Sequence, residues 1–184
     1  MSSSQQALLF VVQTVLQLSM SVMILRFMLQ LAKADFYNPI SQAIVKISSP
    51  VLTPMRRIIP SYKNWDFASL LLAMLLYLLM WMATVYIIIG QFVNPLSLLG
   101  GSLAGVLYSI SKIYFYAIIL SAISSWIPPL HGHPITALVW QLVEPVLAPF
   151  RKLLPNMGGL DISPIFAILT LQVLQILLRP YVPL

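Results

Sequence analysis

The sequence contains no cysteine and only four acidic residues in 184, Asp35, Asp66, Glu144 and Asp161. The first absence excludes disulfides, thiolate metal sites and cysteine nucleophiles. The second leaves no paired-carboxylate acid–base site, and no stretch combines a nucleophile with a base or forms a phosphate-binding loop. A non-enzymatic protein without a cofactor is expected. Charge of either sign is scarce, at 8% of residues against about 25% in a soluble domain. Hydrophobic residues make up 60% and mean hydropathy is +0.94, so lipid must be the main solvent. The N-terminal Met1-Ser2-Ser3-Ser4-Gln5-Gln6 lacks the positive region of a secretory signal. The apolar run after it is too long for one and reads as a retained span.

Four apolar stretches have spanning length, at about 7–31, 67–89, 103–127 and 164–179. The last is short, bounded by Pro164 and Pro180. The fold class is therefore an all-α membrane protein with four transmembrane helices. The ten basic residues outnumber the acids, for a formal net charge of +6. They gather in the first connection (Lys33, Lys46, Arg56, Arg57, Lys63) and the third (Arg151, Lys152), while the N-terminal tail and residues 90–102 hold none. Positive-inside logic predicts cytoplasmic basic connections and both termini on the far side. Basic residues pinned between spans suit anionic headgroups and argue against nucleic acid.

Subtracting Pro50 from Pro145 gives an offset of 95, and the same offset pairs many residues. Pro39-Ile40 matches Pro134-Ile135; Pro54, Arg56, Pro60 and Asp66 match Pro149, Arg151, Pro155 and Asp161. The chain reads as two parallel two-helix repeats, 1–95 and 96–184, related by a pseudo-twofold axis along the membrane normal. Between the spans of each lies an amphipathic segment, 38–65 and 133–160. Ile40, Ala43, Ile44 and Ile47 form one apolar stripe, and Ile135, Leu138, Val139 and Leu142 the other. Helices lying in the membrane interface are predicted. A separate short turn is predicted after each, from Thr53 to Pro60 and from Ala148 to Pro155, opened by one proline and stopped by the next. Asp66, or Asp161 with Ser163, is placed to cap the following span.

The run Ala34-Asp35-Phe36-Tyr37-Asn38-Pro39, then Pro50-x3-Pro54-x-Arg56-Arg57-x2-Pro60, resembles the YggT family, whose plastid relatives are called YlmG. So does Pro145-x3-Pro149-x-Arg151-Lys152-x2-Pro155-x3-Gly159-x-Asp161-x-Ser163-Pro164. The likeness covers nearly the whole chain in a two-copy form. In the first copy Lys63-Asn64-Trp65-Asp66-Phe67-Ala68-Ser69 replaces the glycine-bearing turn, so a looser turn is expected there. The resemblance implies a bacterial inner-membrane protein with no established catalytic residues. It brings associations with osmotic tolerance, ion balance and cell-division gene neighbourhoods and, in plastids, with nucleoid distribution and cytochrome assembly.

Candidate lipid- or partner-binding residues are Arg56, Arg57, Arg151, Lys152 and Lys46, with other membrane proteins, or a second copy, as expected partners. Three polar residues lie inside spans. Arg26 is long enough to snorkel to the interface, and a pair with Asp66 is the alternative. Lys112 and its repeat mate Gln17 lie on polar stripes with Gln13, Ser21, Gly105, Ser109 and Tyr116. A seam that holds helices together competes there with a site for ion transport, for which a lone lysine suits an anion better than a cation. Gln172, Gln175 and Arg179 give the fourth span a polar face, with Arg179 expected at the outer interface. The run Gly101-x3-Gly105-x3-Ser109 permits close helix packing, within the chain or between copies. His131 and His133 lack a third metal ligand nearby. The expected function is an assembly or stress-related membrane factor, and a small channel or accessory of ion transport is the alternative.

Overall fold

The computed structural model describes residues 2–127, 132–153 and 161–182. Six α-helices follow in order: α1 (Ser3–Leu31), α2 (Pro39–Ile58), α3 (Phe67–Ile89), α4 (Pro95–Ser125), α5 (Pro134–Leu153) and α6 (Ser163–Leu178), with a 3-10 turn at Arg179–Tyr181. Four are long and apolar enough to cross a membrane: α1, α3, α4 and α6 with its 3-10 extension. α2 and α5 lie between the spans of each half, and their bounds differ by the offset of 95 at both ends.

Local chemistry sets the helix ends. Ser2 and Gln5 form a capping box that starts α1 earlier than apolarity alone predicts. Asn94 caps α4 by accepting from the Leu96 amide at 3.0 Å, and Pro95 takes the first helical position. That cap moves the start of the third span from 103 to Pro95, and Gly100 and Gly101 are carried inside the helix. Gly90 ends α3 in the left-handed conformation at φ 75°.

The predicted pair of elements between spans is a single helix. α2 runs through Pro50 and Pro54, and α5 through Pro145 and Pro149. A proline inside a helix removes one backbone bond and crowds the carbonyl four residues back. All four prolines sit on the exposed side, where the freed carbonyls need no protein partner. The inward face holds the helix together: Ser48 and Leu52 are buried in α2, Val143 and Leu147 in α5. The apolar stripes turn partly inward as well. Leu138 and Leu142 are buried in the core, whereas Ile47 stays 64% exposed.

α1 packs most extensively on α3 and α4 on α6, while α3 meets α4 and α2 meets α5 across the two halves. One core spans both, with Ile24 and Met28 from α1, Tyr77 from α3, Ile118 from α4 and Leu147 from α5. The glycine run serves contacts within the chain. A Cβ on Gly101 would lie 2.1 Å from the Trp81 ring, and one on Gly105 2.0 Å from the Tyr77 ring. Both aromatics belong to α3, so bare backbone on α4 gives them room.

Candidate functional site

The basic end of the bundle is organised around one ion pair per half. Leu52 and Arg56 follow Ser48 at four-residue spacing, so all three project from one face of α2 toward the start of α3. There Arg56 pairs with Asp66, whose side chain is fully buried. Asp66 is also the N-cap of α3, accepting from the Ser69 amide and hydroxyl. Burial pushes the Asp66 carboxyl upward. The hydrogen bonds from Arg56 and Ser69 and the Arg56 charge outweigh it, so the group sits below its ordinary value.

In the second half Arg151 donates to Asp161 at 2.9 Å and to both oxygens of Glu144 at 2.9 and 2.7 Å. Asp161 in turn accepts from the Ser163 amide at 2.9 Å. Its carboxyl is lowered too, burial pushing up and Ser163 and Arg151 pulling further down. The registers agree, but this cluster is open, with Arg151 and Asp161 42% and 44% exposed.

These pairings divide the predicted basic set. Arg56 and Arg151 are committed to carboxylates, whereas Arg57, Lys152 and Lys46 are exposed and make no ion pair among the described residues. Pro50, Pro54, Pro145 and Pro149 line the outer side of the same helices. Pro60 is exposed just beyond α2, and Pro155 lies outside the described residues. The turn after Pro60 is closed: the Tyr62 and Trp65 backbones exchange hydrogen bonds at 3.1 and 2.9 Å, with Lys63 at φ 53°. Trp65 is also held between Phe27 and Phe67, and the glycine-bearing turn with which this one was compared lies outside the described residues.

Arg26 does not take Asp66. One of its terminal nitrogens is buried with no partner among the described residues, and so is the Ser41 hydroxyl. Both residues line a cavity of about 370 Å³ with Gln30 and Lys33. The repeat mate of Arg26 is Ser121, which lines a cavity of about 640 Å³ with Trp140, Glu144 and Arg151.

Asn38-Pro39 reads in the sequence as a cap and first-turn pair, but the polar contacts that join the two halves at this end were not legible there. Asn38 caps α2, its side-chain oxygen accepting from the Ile40 amide, and its Nδ2 donates to the Pro134 carbonyl at 2.7 Å. The Asp35 amide donates to the Gln141 side chain at 2.8 Å. The repeat mate of Asn38 is His133, whose Nδ1 accepts from the Ile135 amide at 3.2 Å. That histidine acts as a helix cap, as its offset from Asn38 would have indicated; His131 lies outside the described residues.

Inside the spans, Gln13 of α1 donates to Thr84 of α3 at 3.3 Å. Gln17 and Lys112 line one cavity of about 450 Å³ with Thr84, Tyr108, Ser109 and Arg179. Tyr116 points elsewhere, 58% exposed, and Gly105 is filled by Tyr77.

Fold and site together define a helical membrane protein of duplicated two-span units, each clamped by an arginine–aspartate pair. The chain belongs to the CCB3/YggT family, whose model matches it twice, over residues 5–90 and 101–182. It is 45% identical to the protein PA0392 of Pseudomonas aeruginosa over 174 residues, 93% of this chain and 87% of that one. Identity to YggT of Escherichia coli K12 is 38% over 168 residues, covering 91% and 87%. The ycf19 protein of Porphyra purpurea is 34% identical over 86 residues, 46% of this chain but 85% of that protein. Such a match is about the length of one repeat. No solved structure matches the chain.

Proposed function

We propose that this protein is a non-enzymatic component of the bacterial inner membrane that holds anionic lipid, and with it membrane partners, at its basic end. The observation that carries this reading is a doubled doublet. Arg57 is followed by Ile58, 84% exposed, and Lys152 by Leu153, 81% exposed. A free cation beside a free apolar side chain, at the end of an amphipathic helix, suits the boundary between headgroups and acyl chains. The cations that the fold needs for itself, Arg56 and Arg151, are a different pair. The unpartnered Arg26 nitrogen and Ser41 hydroxyl add hydrogen-bond donors in a cavity that Lys33 also lines. By the positive-inside rule this end faces the cytoplasm.

Native mass spectrometry of protein purified with phosphatidylglycerol tests the lipid contact. Replacing Lys46, Arg57 and Lys152 with Gln should reduce retained anionic lipid severalfold without lowering thermal stability; full retention would remove the proposal. The cysteine-free background allows topology to be tested separately. In intact cells an impermeant maleimide should label Phe92→Cys and spare Arg57→Cys, and the reverse pattern would invert the orientation.

A further inference from the structure

The cavity of about 450 Å³ among α1, α3, α4 and the 3-10 turn after α6 is lined in part by repeat mates. Gln13 and Tyr108, Gln17 and Lys112, and Thr84 and Arg179 each differ by the offset of 95, and all six face the same space. A cavity that receives the same positions from both halves lies on their pseudo-twofold axis. In repeat-built membrane proteins that is where binding sites form. Its chemistry is one-sided. Where the first copy supplies neutral Gln17 and Thr84, the second supplies Lys112 and Arg179. No acidic side chain lines the space. All four in the chain lie at the other end, on or beside α2 and α5 or before α3 and α6.

Lys112 and Arg179 are exposed and make no ion pair among the described residues, so both charges are open to an anion. The remaining lining offers hydrogen-bond donors: the amides of Gln13 and Gln17 and the hydroxyls of Tyr108 and Ser109. We infer that this axial cavity is a binding site for a phosphate-type oxyanion, held by Lys112 and Arg179 as charge partners with Gln13 and Gln17 as hydrogen-bond donors. Arginine offers an oxyanion a planar two-bond fork, and lysine a point charge. The anion is either free in solution or the phosphate of an anionic lipid. The inference stands apart from the lipid contact at the basic end and shares no residue with it.

The test uses the full chain in nanodiscs of phosphatidylcholine. One arm titrates inorganic phosphate and follows binding by calorimetry and by fluorescence of Trp81, which lines the cavity. The other adds phosphatidylglycerol and counts retained lipid by native mass spectrometry. Saturable phosphate binding assigns the soluble source. Lipid retention alone, lost on replacing Lys112, assigns the lipid source. In either case Lys112→Gln and Arg179→Gln should each weaken binding about tenfold or more, and Lys112→Arg should keep it. Gln17→Glu supplies an internal counter-charge and should abolish binding while raising thermal stability, so its effect cannot be mistaken for unfolding. The inference is overturned if neither probe binds, or if the Lys112, Arg179 and Gln17 variants all bind like the wild type.

Discussion

Arg56 reaches from the last turn of α2 to the fully buried carboxylate of Asp66 at the first turn of α3. That contact ties the amphipathic helix to the carboxylate that caps the next span. Arg151 and Asp161 repeat it in the open, with Glu144 as a second acceptor. Equal motifs therefore sit in unequal surroundings, and an ion pair is worth what its surroundings make it.

Asp66→Asn should lower unfolding stability in detergent by about 3 kcal/mol, near the low end for breaking a buried pair, since Arg56 is partly solvated. Asp161→Asn should cost about 1 kcal/mol or less. Parallel denaturation curves for the two variants measure the difference. Equal losses would show that the two clamps are energetically alike.

Acid should weaken the first clamp. The Asp66 carboxyl is lowered in the fold from its ordinary value of 3.8. Its contribution is therefore present above that value and is lost as pH falls through the lowered one. A thermal-stability profile from pH 7 to 2 should show a drop in wild type that is smaller in Asp66→Asn.

The glycine run supplies an internal control. Gly105→Ala must push against the Tyr77 ring, while a Cβ on Gly100 meets nothing within 4 Å. The first change should destabilise by about 1–3 kcal/mol through overpacking. The second should be neutral or slightly stabilising. Combining Gly105→Ala with Tyr77→Leu should recover part of the loss, as melting temperatures of the three variants would report.

Asn38 and His133 cap equivalent helices, but among the described residues it is Asn38 that also bonds the other half. His133→Asn should be tolerated and His133→Ala should cost about 1 kcal/mol, the worth of a cap. Asn38→Ala should cost more, and limited proteolysis should find its connection between α1 and α2 more accessible.

Much of this protein is determined by sequence alone. Four spans, a duplication at an offset of 95 and two amphipathic connections follow from hydropathy and residue spacing, because lipid forces every spanning segment to be helical and apolar. Asp66 was legible as a cap from its position before an apolar run. Asp161 was not placed so well, since Ile162 takes the cap position of α6 and Asp161 bonds the Ser163 amide from one residue further out. What the arginines do was not, since Arg56 and Arg57 are adjacent letters of one motif. Only the turn of a helix sends the first inward to Asp66 and leaves the second exposed beside Ile58. The prolines misled for a related reason: read locally they end helices, but packing of Leu52 and Leu147 holds each helix together across them. Burial distinguishes the two clamps, and assembly of the halves brings Gln17 and Lys112 into one cavity with Arg179. Those outcomes depend on contacts between residues distant in the chain, so tertiary structure decided them.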